Sequence, residues 1–258
     1  RFKTLREKNG NFVVVYRSGS GYITSDRRFL MELQQSIIER MKQLGYETYV
    51  PGIIDQMVEK LAGEESIINW DNLFAKYRGL YFRDAKGPED IVDALKKRDP
   101  QVSEKVAKIL ENENIALADT PAAVKEWLKE VIRRNNIAGI VFIWDEFTEY
   151  FNLNRNVTTL QELAHATQEI PFYLLLITHR ALNQFKQLDD DNRKKLQDRF
   201  HNCRLEMEEV TAYTLLGNAI NVISHKVNEW DGKREILWQQ VERIFTQIML
   251  IGADRLKR

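Results

Sequence analysis

The sequence predicts an α/β fold built on a parallel β-sheet, because short apolar runs alternate with segments of helical periodicity. Three runs, at residues 12–16, 139–144 and 172–177, are continuously apolar, which is typical of strands buried on both faces of a sheet. A fourth run, at residues 203–207, alternates apolar and polar side chains, as a half-exposed edge strand does. We therefore expect helices to cover both faces of the sheet.

The first helix is predicted from Phe29 to Leu44, where apolar residues recur at helical spacing. Ser25 or Asp26 can cap its start, and Gly45 is suited to its end. The other predicted helices cover residues 122–134, preceded by Thr120 and Pro121, and residues 211–228 and 235–256 near the end of the chain.

A long stretch between the first two strands breaks the alternation of strands and helices. Residues 51–119 are charged, and their apolar positions have helical rather than strand spacing. The predicted organisation is a core of residues 1–50 and 120–208, a helical insertion at 51–119 and a helical, lid-like region at 209–258. Aromatic residues of the insertion could stack on nucleic-acid bases or form a small core of their own. They are Trp70, Tyr77, Tyr81 and Phe82.

Composition narrows the functional classes. The 258 residues carry 38 Lys and Arg against 38 Asp and Glu, which argues against a whole-domain electrostatic grip on nucleic acid or on an anionic membrane. One cysteine, Cys203, excludes an intrachain disulfide and fits a reducing compartment. The apolar runs are too short to span a bilayer and no signal peptide is visible, so we expect a cytoplasmic protein that does not enter the membrane.

Two acidic residues, Asp145 and Glu146, directly follow the second predicted strand. Side chains at the carboxyl end of a parallel strand meet the crevice where ligands bind. An aspartate there can hold the Mg²⁺ that bridges the β- and γ-phosphates of a nucleotide, and the next glutamate can orient or deprotonate the attacking water. The alternative is that the pair merely caps the helix that follows.

This strand, with its Asp-Glu end, resembles the Walker B motif of P-loop ATPases. The order of strand, helical insertion, Walker B strand, further strand and Arg-Phe pair is similar to that of the AAA+ core and of the related STAND ATPases. The similarity extends over about residues 1–225. The long helical insertion also resembles those of large prokaryotic ATPases from genome-defence systems. The fold implied is an AAA+-like P-loop NTPase core with a helical insertion and C-terminal helices.

The resemblance implies roles for two further residues. Thr178 ends the third strand, where AAA+ proteins place the polar sensor 1 residue that detects the γ-phosphate. Arg199, followed by Phe200, stands where the family has an arginine finger directed at the neighbouring subunit's ATP. The alternatives are an ordinary strand-end threonine and a surface arginine. A sensor 2 arginine would be one of Arg234, Arg243 and Arg255.

The phosphate-binding Walker A loop, Gly-x-x-x-x-Gly-Lys-Ser/Thr, is not found in the sequence. Gly19-Ser20-Gly21 follows a strand, but no lysine comes after it, and we interpret it as a loop. Residues 1–8 resemble the end of a helix that stops at Asn9-Gly10, and in the family such a helix follows Walker A. The family's first strand lies between the fourth and fifth, so either an upstream segment completes the sheet or the fold differs from the resemblance.

The expected function is Mg²⁺-dependent ATP hydrolysis by a homo-oligomer, coupled to remodelling or signalling, with a protein or DNA as the substrate. ATP and Mg²⁺ are the expected cofactors. One alternative is a catalytically inactive binding module that keeps the ATPase fold. Another is a metal-dependent nuclease that uses Asp145, Glu146 and Glu149, although the lysine that usually lies two residues from the acid is absent.

Overall fold

The computed structural model describes residues 10–201, apart from residues 49, 65, 67, 155 and 156, and five isolated later positions. The described residues up to His201 belong to one compact unit, and a second unit spans Asn202–Arg258. Several predicted elements lie outside the described residues: the helix end at residues 1–8, most of the fourth strand at 203–207, and most of the helices at 211–228 and 235–256.

Three parallel strands form the sheet, in the order β1-β2-β3. They are β1 (Phe12–Ser18), β2 (Gly139–Asp145) and β3 (Phe172–Leu176). Phe12 lies opposite Gly139 in the first pair, and Ile140 lies opposite Phe172 in the second. The α/β class and the three apolar strands are thus confirmed. Because all three run in one direction, their carboxyl ends meet at one edge of the sheet.

Helices fill the segments between the strands. Ser25 caps the first helix by accepting a hydrogen bond from the Arg28 amide, as the sequence predicts. Thr120 caps the helix before β2 in the same way. No helix among the described residues is long and apolar enough to cross a membrane. The described helices are α1 (Asp26–Gln43), α2 (Ile53–Ala62), α3 (Trp70–Tyr81), α4 (Pro88–Lys96), α5 (Pro100–Asn112), α6 (Pro121–Arg134), α7 (Thr148–Leu153), α8 (Thr158–Ala166) and α9 (Asp190–Arg199).

The helices pack on one face of the sheet. Phe29 of α1 stacks on Trp144 of β2, with ring centroids 5.1 Å apart, and Phe142 is buried beside them. On the opposite face the side chains of the outer two strands are between 41% and 61% exposed. They are Phe12, Val14, Tyr16, Tyr173 and Leu175. The expectation that helices cover both faces is therefore wrong for the described residues, and we call this second face the open face.

The strand order explains why one face stays open. The connections from β1 to β2 and from β2 to β3 step across the sheet in the same direction. Right-handed crossovers that step in one direction place all their helices on one face. A continuously apolar strand predicts burial on both sides, but its sequence does not say which segment covers the second side.

Residues 51–119 are largely helical, as their spacing predicts, and contain α2 to α5. Trp70, Phe74 and Phe82 pack ring against ring and are buried. The Trp70 indole donates a hydrogen bond of 3.0 Å to the Pro88 carbonyl. The aromatic residues of this stretch therefore form a small core, and the base-stacking interpretation of Trp70 and Phe82 is not favoured, since stacking on bases needs accessible rings.

Candidate functional site

The acid pair, Asp145 and Glu146, stands at the carboxyl end of the central strand. Side chains alternate along β2, so Phe142 and Trp144 enter the core and Asp145 lies on the open face. Asp145 is partly buried and Glu146 is exposed. Both carboxylates are thus accessible at the sheet edge where the strands end, as the sequence predicts.

Two hydroxyl groups of β1 hold the acid pair. Tyr16 Oη donates a hydrogen bond of 2.9 Å to Asp145 Oδ2, and Ser18 Oγ donates one of 3.1 Å to Glu146 Oε2. The register of β1 against β2 places both hydroxyls beside the acid pair, because Ser18 lies directly opposite Asp145. The hydrogen bond to Asp145 raises the pKa of Tyr16 above its usual value, since ionisation would place a second negative charge beside the carboxylate. Neither hydroxyl is predicted from the sequence.

Glu146 adopts a left-handed backbone with φ of 54°, which is uncommon for any residue except glycine. Ser20 is 1% exposed and holds this conformation: its hydroxyl donates to the Glu146 carbonyl and accepts from the Tyr150 amide, both at 3.0 Å. The Gly19 amide donates to the Asp145 carbonyl at 3.0 Å. Gly19-Ser20-Gly21 is therefore a loop, as predicted, but it also anchors the backbone of the acid pair.

The chain that leaves β3 runs beside the acid pair. The Phe147 amide donates to the Ile177 carbonyl at 2.9 Å, and the His179 amide donates to the Thr148 hydroxyl at 2.9 Å. Thr178 lies two residues after the end of β3 at Leu176. Its hydroxyl donates to the Arg180 carbonyl at 2.8 Å, and among these described residues it makes no hydrogen bond to either carboxylate.

No α-helix begins at His179 or Arg180. A single 3₁₀ turn, Leu182–Gln184, follows instead, and the next α-helix is α9. Its N-cap is Asp189, which accepts a hydrogen bond of 2.7 Å from the Asn192 amide. The residues after Thr178 are thus a loop, which leaves the strand end accessible.

Arg199 is the last residue of α9 and is exposed. One of its terminal nitrogens lies 3.4 Å from Nδ1 of His165 on α8. Within the described residues it contacts neither Asp145 nor Glu146, so the structure does not bring Arg199 to the acid pair of its own chain. Of the sensor 2 candidates, Arg234 and Arg255 lie outside the described residues, and Arg243 is an isolated described position.

The acid pair offers the oxygen ligands of a cation site. Mg²⁺ in nucleotide enzymes is held by one or two carboxylates together with phosphate oxygens and water, and Asp145 with Glu146 fits that donor set. Glu149, on α7, accepts a hydrogen bond of 3.1 Å from the Asn152 side chain. Over residues 10–201 and the other described positions, no three acidic, histidine or cysteine side chains form a metal-binding group.

Comparison with known proteins finds no relative of the chain. No protein-family model, curated protein or solved structure matches it.

Proposed function

We propose that this chain carries the Walker B part of an AAA+-like ATPase site and couples ATP binding and hydrolysis to remodelling or signalling in an oligomer. The observation that carries the proposal is the placement of Asp145 and Glu146 at the carboxyl end of the central strand of a parallel sheet. In this proposal Asp145 holds Mg²⁺ and Glu146 is the general base for the attacking water. Mg²⁺ would supply charge neutralisation at the phosphates.

The strand order supports the proposal. Within the described residues, β3 pairs with β2 on one side and with no strand on the other. The AAA+ resemblance places the family's first strand on that other side of β3. A right-handed connection from such a strand back to β1 would step across the sheet in the opposite direction. Its helix would then lie on the open face. One additional strand beside β3, with the helix that follows it, would therefore account for both the unpaired edge of β3 and the open face.

The proposal requires a phosphate-binding loop from outside the 258 residues, because none of their glycines begins a Walker A sequence. It also assigns Thr178 to γ-phosphate sensing and Arg199 to the neighbouring subunit's site. The exposure of Arg199 at the end of α9 supports that assignment, since a guanidinium acting in trans must reach beyond its own chain.

The test is Glu146→Gln in the full-length protein, with Glu149→Gln as the matched control. Glutamine is nearly isosteric but cannot accept a proton from water, so turnover is lost while ATP binding remains. Glu149→Gln, three residues further on in α7, should hydrolyse ATP at the wild-type rate. Wild-type hydrolysis by Glu146→Gln would remove the acid from the mechanism. ATP binding without hydrolysis by the wild type would favour the inactive binding module.

A further inference from the structure

A cleft of about 760 Å³ lies where the carboxyl end of β1 and helix α1 meet the turn between α4 and α5. Small-molecule sites have volumes of about 300–1,000 Å³, so the cleft has the size of one. The acid pair and Thr178 do not line it, although Ser18, which donates to Glu146, does. Its charged lining consists of four cations, Arg17, Arg28, Lys97 and Arg98, and three carboxylates, Glu32, Glu39 and Glu104.

The wall formed by β1 and α1 carries two guanidinium groups, of Arg17 and Arg28, and two carboxylates, of Glu32 and Glu39. Arg17 and Arg28 both form ion pairs with the single carboxylate of Glu32. Arg28 and Glu32 are only 4% and 8% exposed, and Nε of Arg28 is buried without a hydrogen-bond partner. Both guanidinium groups also lie near the ring of Tyr22, at 5.5 and 5.6 Å from its centroid. A buried donor without a partner is costly, and an anion in the cleft that accepted a hydrogen bond from Nε of Arg28 would offset that cost.

The opposite wall adds two more cations, Lys97 and Arg98, from the turn that joins α4 to α5. Arg98 has a left-handed backbone with φ of 63°, and its side chain pairs with Asp55. The turn is fixed by backbone hydrogen bonds, of which one of 2.8 Å runs from the Arg98 amide to the Leu95 carbonyl. A non-glycine residue held in this conformation indicates a turn fixed by its surroundings, and Lys97 and Arg98 of this turn line the cleft.

The cleft also contains hydrogen-bond acceptors, the carboxylates of Glu39 and Glu104. Gln35 donates to Glu39 at 2.6 Å, and Ser25 donates to Glu104 at 3.2 Å, so neutral donors already contact both carboxylates. Carboxylates repel phosphate but bind hydroxyl groups, as the acidic residue that holds a ribose does in dinucleotide sites. We propose that this cleft binds a small phosphorylated polyol, of the sugar-phosphate or mononucleotide class. Its phosphate would face the guanidinium groups and its hydroxyls the carboxylates.

The experiment titrates the 258-residue chain by calorimetry with inorganic phosphate, ribose 5-phosphate and AMP, in the presence of EDTA. Without divalent cations the acid pair plays no part in binding. Ribose 5-phosphate should bind saturably and about tenfold more tightly than inorganic phosphate. AMP binding more tightly than ribose 5-phosphate supports a nucleotide as the natural ligand, and the reverse order supports a sugar phosphate.

Two variants locate the binding to the cleft. Lys97→Ala and Arg98→Gly should each weaken ribose 5-phosphate binding by about tenfold, the typical effect of losing one charged hydrogen bond. Glycine suits the left-handed backbone at position 98, so the turn is retained. The matched control is Lys96→Ala, one residue earlier and outside the cleft lining, which should leave affinity unchanged. A thermal unfolding temperature equal to that of the wild type verifies that each variant folds.

Three outcomes would overturn the proposal. The first is the absence of saturable binding by both ribose 5-phosphate and AMP. The second is wild-type affinity in folded Lys97→Ala and Arg98→Gly. The third is inorganic phosphate binding as tightly as ribose 5-phosphate, because the carboxylates would then contribute nothing. An Asp145→Asn variant should bind as the wild type does, so this site succeeds or fails independently of the ATPase proposal.

Discussion

Tyr16 and Asp145 are joined by a hydrogen bond of 2.9 Å that runs from the phenol of an outer strand to the carboxylate of the central strand. This bond raises the pKa of the Tyr16 phenol, because the ionised ring would face the carboxylate. We predict that Asp145→Asn lowers the pKa of Tyr16 towards the ordinary tyrosine value of about 10. The measurement is an NMR titration of the Tyr16 ring, assigned with Tyr16→Phe. The Tyr16 pKa measured in the Glu149→Gln control should equal that of the wild type. A Tyr16 pKa in Asp145→Asn equal to that of the wild type would contradict the prediction.

A second prediction concerns the left-handed backbone of Glu146. Glycine tolerates this conformation and alanine does not, so Glu146→Gly should have a free energy of unfolding about 1 kcal/mol greater than that of Glu146→Ala. At Glu149, inside helix α7, the order should reverse, with glycine less stable than alanine by about 1 kcal/mol. Urea unfolding of the four variants measures both differences. The same order at both positions would show that Glu146 is not held in the left-handed region.

The third prediction is that Ser20→Ala destabilises the protein. The change leaves the Tyr150 amide and the Glu146 carbonyl without their buried partner, and each unsatisfied group costs about 1–3 kcal/mol. The matched control is Ser18→Ala, which removes an exposed hydroxyl and should change the free energy of unfolding by less than about 0.5 kcal/mol. Equal effects of the two changes on urea unfolding would mean that the loop does not anchor the acid pair.

Arg199 is predicted to act on the ATP of a neighbouring subunit. Arg199→Ala should lose hydrolysis and keep ATP binding, because fingers of this kind are worth about 10³–10⁵ in rate. Mixed oligomers of Arg199→Ala and Glu146→Gln subunits contain some interfaces with an intact acid and an intact arginine. Their ATPase activity should partly return. Co-assembled mixtures that stay inactive would place Arg199 in its own site or in the fold alone, and Arg193→Ala is the control from the same helix.

The open face gives the fifth prediction. Large exposed apolar patches bind apolar partners, so the 258-residue chain should bind a hydrophobic dye at this face. Leu175→Glu should reduce dye fluorescence while changing the free energy of unfolding by less than about 0.5 kcal/mol. Leu80→Glu removes an isolated leucine of α3 that is 67% exposed, and it should leave the fluorescence unchanged. Equal dye binding by Leu175→Glu and the wild type would mean that the face is covered in solution.

The elements that the sequence predicts well are those with local signals. The apolar runs of β1, β2 and β3 identify the strands, and Ser25 and Thr120 identify helix starts, because these patterns depend on nearby residues. The acid pair is found for the same reason, since it follows an apolar strand directly. The position of Thr178 is predicted, but its hydrogen bond to Arg180 depends on a loop with no repeating pattern.

The partners of the acid pair could not be predicted from local patterns. Tyr16 and Ser18 reach Asp145 and Glu146 only when β1 pairs with β2 in one register, and register is set by contacts between distant segments. Ser20 depends on the same pairing, and the left-handed backbone of Glu146 has no signal in a glutamate. The exposure of the open face could not be predicted, because the sequence of an apolar strand does not show which segment covers each of its sides.

The pairing of β1 with β2 has a consequence for how the chain folds. Phe12 pairs with Gly139, so this contact closes a loop that contains α1 to α6. The connection between β2 and β3, which contains α7 and α8, closes a smaller loop. Closing the longer loop is entropically less favourable and slows the step that requires it. We therefore expect β2 and β3 to associate first and β1 to dock late. Asp145 and Glu146 would receive their hydroxyl partners only in that late step, so the site forms together with the last part of the sheet.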